Sequence, residues 1–344
     1  TRIKREHKAV AKESTVIKMN TTGWIMAFVT GMADASSRFT MKSGNTHEFL
    51  LSGIGLLLGI PIYATYFILS NDPSPVQPMF WVATLLHVPC YMAFIVFTVL
   101  SHRVNSMLKT MPYSSLTPAL LLVTSPLMGG GTPTAVGLVG VLIIVIGLYI
   151  VNVEGIGMGF TAPLKAMVDD KGAQYMFIAV FIVSFSSNLD KTAIVNGPIS
   201  LYLLVDHGLA GTGLLLLIPL YRTLGLFKKT ADMDEYAGIH NDLYKKESYK
   251  IFFFFALFNV ATSILHNIGL KIMQHVPYFI SGKRVGTLLF ALVMGIALSH
   301  WEKITGIKES ERKYADETKH LPWKIGGTIV VIFGTVVVIL YGGV

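Results

Sequence analysis

Long apolar runs separated by polar breaks set the pattern of this chain. A helix needs about 20 apolar residues to cross ~30 Å of hydrocarbon at ~1.5 Å per residue. Ten runs meet that length, near 22–40, 47–70, 79–102, 107–129, 133–153, 173–192, 198–222, 249–270, 275–300 and 323–343. Trp24, Trp81, Trp301 and Trp323 each fall at an end of a run, where amphipathic indoles settle in a bilayer. The predicted fold is all-α, a polytopic membrane protein of ten transmembrane helices.

The breaks divide the chain further. Residues 1–20 carry Arg2, Lys4, Arg5, Lys8, Lys12 and Lys18, a basic tail suited to anionic headgroups, with no cleavable signal-peptide pattern. Gly129-Gly130-Gly131-Thr132-Pro133 reads as a tight hairpin between the fourth and fifth runs. A polar connector at 154–172 separates a unit at 21–153 from a second at 173–344. The halves match in order: Arg38 with Lys191, Ile60-Pro61-Ile62-Tyr63 with Ile218-Pro219-Leu220-Tyr221, and Met111-Pro112-Tyr113 with Val276-Pro277-Tyr278. Gly44 and Gly197 follow Arg38 and Lys191 at the same distance. Such matches predict a duplicated five-helix unit, and an odd number of spans inverts the second copy. Orientation stays open, because the basic tail and the cations of the loops near 223–248 and 301–322 fall on opposite sides.

Composition agrees with the pattern. Hydrophobic residues make up 52% of the chain and charged residues 14%, against about 25% charged in soluble domains. Mean hydropathy is +0.58. The net charge of +8 lies mostly in tails and loops, which points to a lipid surface rather than nucleic acid. The single cysteine, Cys90, sits inside an apolar run, so no disulfide forms within one chain and no Cys-based metal site exists. No P-loop, Gly-x-Ser-x-Gly or His-Glu-x-x-His spacing occurs. Neither catalysis, a cofactor nor a metal is therefore expected.

Candidate chemistry comes from polar residues inside the runs. A charge at bilayer depth costs roughly 2.5–3.5 kcal/mol on insertion scales, so such residues face a bundle interior or an aqueous cavity. Lys283 and Arg284 interrupt the ninth run. Neighbours on a helix differ by about 100°, so they flank a ligand from adjacent walls, or one binds while the other pairs with Asp190 or Asp206. Lys191 shares a face with Ser184 and Ser187 on the sixth run; the serines equally suit helix packing. Asn259, Ser263 and His266 form a hydrophilic wall on the eighth run, with Thr262 and Asn267 beside them. Asp34 and Arg38 stand at i and i+4 on the first, placed either to neutralise each other or to meet a ligand. Asp206 and His266 are candidates for carrying a coupling proton. His87, Tyr91, Tyr113 and Tyr278 rank as packing residues first.

The arrangement resembles the ten-span EamA-like members of the drug/metabolite transporter superfamily. The resemblance rests on the fourth and fifth runs and on 277–343: mid-helix Pro118 and Pro126, the hairpin Gly129 to Thr132, then Gly137, Gly140 and Gly147 in the closing helix. Glu302 resembles the acid that members often carry after the ninth span, while the first half has glycines there. Lys283-Arg284, with Lys191, is similar to the cationic set of the triose-phosphate translocator branch, although FISGKRVGTLLF departs from the plant pattern. The resemblance implies alternating access in the inner membrane of a bacterium, as a monomer or homodimer. Substrates in the family range from amino acids and sugars to phosphorylated metabolites and drugs; Lys283, Arg284 and Lys191 narrow the expectation to a small anion, phosphorylated or carboxylated. Export of amino acids or other neutral solutes and flipping of a lipid-linked phosphate remain alternatives within that class.

Overall fold

The computed structural model describes residues 21–40, 47–70, 72–104, 113–152, 168–225, 229–230, 233–273, 275–307 and 321–341. The basic tail, Met111-Pro112, most of the connector and the charged stretch at 308–320 lie outside them. Helix α1 occupies 21–40. It is followed by α2 (Glu48–Leu58), α3 (Ile60–Ser70), α4 (Pro78–Val104), α5 (Thr117–Met128) and α6 (Ala135–Asn152). The second half contributes α7 (Lys171–Val195), α8 (Ile199–Thr223), α9 (Glu235–Tyr244), α10 (Lys246–Ile272), α11 (Val276–Ile304) and α12 (Leu321–Tyr341). Two two-residue strands, Lys229–Thr230 and Met233–Asp234, pair antiparallel before α9. The fold is otherwise helical throughout the described residues.

Local chemistry sets the helix ends. Asp170 caps α7 by accepting from the Ala173 N–H at 3.0 Å, and the His47 ring caps α2 through the Phe49 N–H. The run at 47–70 bends into α2 and α3 because Pro61 has no N–H to continue the ladder, and Gly59 closes the turn. At the end of α5, Gly129 adopts φ 74°, a left-handed cap that favours glycine, and the predicted hairpin follows. The Gly130 carbonyl then accepts from the Val276 N–H at 3.1 Å, tying the hairpin to the start of α11.

Among the described residues, seven helical segments are long and apolar enough to cross a membrane: Glu48–Ser70, Pro78–Ser101, Lys171–Val195, Ile199–Thr223, Lys246–Ile272, Val276–Ile304 and Pro322–Tyr341. Helices α5 and α6 are apolar but shorter, and α1 carries Asp34 and Arg38 within its 20 described residues. Large apolar side chains cover the outside, Leu127 at 77% exposure and Leu69 at 72% among them, while Ser184, Asn188 and Asp206 are buried. That inverts a water-soluble surface and suits lipid. The protein is an integral membrane protein.

Glycine lets helices approach backbone to backbone. Helices α6 and α12 cross at Gly147 and Gly327, where a Cβ on Gly147 would lie 2.7 Å from the Val331 nitrogen. Gly53 of α2 meets Gly211 of α8, and Gly31 of α1 meets Gly286 of α11. Helix α4 packs along α7, and α5 bridges α7 and α11.

Candidate functional site

Polar side chains from seven helical segments meet inside the bundle, in two adjoining groups. The first is cationic. Gly31 and Gly286 press α1 against α11, which brings Asp34 and Arg38 beside Lys283. The Arg38 Nε donates to Asp34 Oδ2 at 3.0 Å, whereas the Lys283 Nζ is 3.9 Å from Asp34 Oδ1, beyond hydrogen-bond reach. Arg284 is less well partnered. One guanidinium nitrogen reaches Thr117 Oγ1 of α5 at 3.4 Å, and its Nε is buried without a partner among the described residues. Arg38, Lys283 and Arg284 all lie in Coulombic range of Asp34, the one carboxylate within ion-pair distance of any of them among the described residues.

The second group is acidic and histidine-rich. His87 of α4 lies between two carboxylates, its Nδ1 2.7 Å from Asp206 of α8 and its Nε2 3.0 Å from Asp190 of α7. The Tyr202 hydroxyl donates to Asp190. His266 of α10 has its Nε2 3.7 Å from the other Asp190 oxygen, and its ring meets Phe279 edge-on. His207 Nε2 lies 2.8 Å from Ser263 Oγ. The groups touch electrically, since Lys283 lies within Coulombic range of Asp190 and His266.

Exposure falls steadily along this path. Arg38 is 36% exposed, Asp34 19%, Lys283 18%, Asp190 14% and Asp206 3%. The cationic group is thus the more accessible of the two, and the group around His87 the more buried. Among the described residues, no group of three or more His, Cys, Asp or Glu side chains is placed to hold a metal ion.

No protein family matches the chain, and no curated protein does. Its fold has been seen before. The chain is similar to a protein known from its crystal structure, at 13% identity with a TM-score of 0.57, over 93% of this chain and 97% of that one. At that identity the likeness concerns the fold alone.

The residues singled out from the sequence separate into those that these two groups unite and those that they do not. Asp34, Arg38, Lys283, Arg284, Ser263, His266 and Asp206 line the two groups. Asn259 of α10 has a buried carboxamide oxygen without a partner among the described residues. Ser187 donates back to the Val183 carbonyl of its own helix, the packing alternative. Lys191 turns elsewhere, donating to the Leu270 and Met273 carbonyls at 2.6 and 2.8 Å, at the C-terminus of α10. Neither Asp190 nor Asp206 pairs with Lys283 or Lys191; both meet His87 instead. His87, ranked from the sequence as a packing residue first, belongs to the second group, and Tyr202 was not singled out. The available signal was the histidine itself, inside an apolar run where it demands partners.

Proposed function

We propose that the protein is a secondary transporter that moves a small anionic organic metabolite, phosphorylated or carboxylated, by alternating access between two inverted five-helix repeats. One observation carries the substrate class: Arg38, Lys283 and Arg284 gather inside the bundle with Asp34 as their one ion-pair carboxylate among the described residues. Cations gathered at that depth are costly unless an anion visits. Arg284 offers a planar fork matched to phosphate or carboxylate oxygens, and Lys283 a point charge beside it. Asn259, Ser263 and His266 would meet the polar remainder of the solute.

The packing supports a duplicated architecture of ten spans. Exchanging α1 with α7, α2 with α8, α4 with α10, α5 with α11 and α6 with α12 maps the observed contacts onto one another. Thus α5 on α7 corresponds to α11 on α1, and α4 on α8 corresponds to α10 on α2, while α2–α8, α5–α11 and α6–α12 map onto themselves. Inverted repeats of this kind place the substrate between the halves near the midplane.

The test is flux. Proteoliposomes holding the purified protein should take up phosphorylated or carboxylated metabolites, and Lys283→Ala or Arg284→Ala should reduce that uptake at least about a hundredfold, the loss of two charged hydrogen bonds. Uptake unchanged in both variants, or confined to uncharged solutes, would remove the anionic substrate class.

A further inference from the structure

The histidine–carboxylate group does something that anion binding leaves unused. A neutral imidazole has one N–H and one lone pair. In this structure the His87 Nδ1 is hydrogen-bonded with Asp206 at 2.7 Å, and its Nε2 is in ion-pair contact with Asp190 at 3.0 Å, off the hydrogen-bond axis. A lone pair set against a carboxylate oxygen at either distance would be repulsive. Two carboxylates against one ring therefore favour one proton more than a neutral imidazole with two carboxylates: an imidazolium between them, or an imidazole with one carboxylic acid.

We propose that Asp190, His87 and Asp206 form a proton-binding site, and that the proton held there crosses the membrane with the anion. The second half of this inference rests on the transport reading above.

The surroundings suit a proton that comes and goes. From α4, the Tyr91 ring stacks on His87 at 5.7 Å. From α8, Tyr202 donates to Asp190 and the His207 Nδ1 stands 3.5 Å from Asp206. From α10, His266 approaches Asp190, and Ser263 holds the far nitrogen of His207. From α3, Tyr63 meets His207 edge-on at 4.9 Å. Lys283 of α11 is in Coulombic range of Asp190, and Asp34 of α1 acts on His266. Among these, Asp190 and His266 have side chains 14% and 12% exposed and are the members in Coulombic range of Lys283, so a proton can reach the group on its cationic side.

Charge couples the two. Losing the proton leaves one more negative charge beside Lys283, which weakens the hold on an anion; binding an anion in turn favours the proton. A unit charge at a separation on the order of 10 Å changes affinity roughly tenfold at an effective dielectric near 20. The substrate and one proton should therefore bind together.

Sulfate tests the coupling, because it does not titrate between pH 6.5 and 8.5. Calorimetry on the purified protein should give roughly tenfold tighter sulfate binding at pH 6.5 than at pH 8.5, and no such difference in His87→Gln. Equal affinity at both pH values in the wild type overturns the coupling while leaving the anion site in place. Absence of sulfate binding at either pH counts against the anion reading instead. Thermal unfolding without sulfate then decides the proton site alone. The bound proton stabilises the folded state at low pH and that stability is lost as pH rises, so the wild type should fall by about 3 °C more than His87→Gln across this window. Parallel curves overturn the site. Asp206→Asn, isosteric with the native residue, replaces His87→Gln if that variant does not fold.

Discussion

Arg284 sits where it costs the fold, as the proposed ligand role requires. Its Nε is buried without a partner, and its half-buried guanidinium has no carboxylate within ion-pair distance among the described residues. An unpaired, partly buried charge is a cost that an apolar residue of similar length would not carry. Arg284→Met should therefore stabilise the substrate-free protein by about 1 kcal/mol or more while abolishing anion uptake. Thermal unfolding of the purified variant beside a flux assay measures both, and a fall in stability would show that the guanidinium serves the fold. This residue was legible in the sequence because the cost of charge in lipid needs no partner to be noticed. The partners themselves were not. His87, Asp190, Asp206 and His266 come from four different helices, and no spacing along one chain brings them to a common point. Ser187 was ambiguous for a different reason: a hydroxyl that bonds its own preceding turn looks the same in sequence as one that faces a ligand.

At the scale of elements, run length and apolarity fixed where most helices lie, since the bilayer-length criterion is a strong constraint. Contacts between helices were less readable. Trp81, Trp301 and Trp323 are exposed, as expected of interfacial indoles, but Trp24 packs on Gly282 of α11. The absence of a side chain at 282 makes that seat, and hydropathy does not register it. The α6–α12 crossing rests on the same physics. A Cβ on Gly147 would meet backbone atoms, the Val331 nitrogen at 2.7 Å and the Gly327 oxygen at 2.8 Å, neither of which can move alone. Gly147→Ala should cost about 1–3 kcal/mol by forcing the helices apart. On the same interface segment, Gly326 has open space around its would-be Cβ, so Gly326→Ala should be neutral or stabilise by up to about 1 kcal/mol through helix propensity. Unfolding midpoints of the two variants in one detergent make the comparison; equal losses would mean that the close crossing is not what holds this pair.

At the scale of the whole molecule, the proposed duplication sets two corresponding cations in different surroundings. Arg38 of α1 and Lys191 of α7 occupy corresponding places. Arg38 stands 36% exposed, in an ion pair with Asp34 of its own helix. Lys191 instead binds the free carbonyls at the C-terminus of α10, where a cation suits the helix dipole, and so fastens α7 to α10 at the opposite end. In a transporter built from inverted repeats, the opposite state is reached when each half takes up the other's conformation. Lys191 would then let go as Arg38 closes its own end. Lys191→Gln removes charged hydrogen bonds worth about 1.5–3 kcal/mol from the present state alone, enough to shift the population tenfold or more. With Cys90 replaced by alanine, a membrane-impermeant maleimide reports the shift. Ser200→Cys, buried beside Ser70 at the fastened end, should react about tenfold faster when Lys191→Gln is added, and Thr40→Cys at the Arg38 end should react more slowly. The reciprocity decides the matter: if Ser200→Cys gains reactivity and Thr40→Cys keeps its own, Lys191 is a local fastening and the two ends do not alternate.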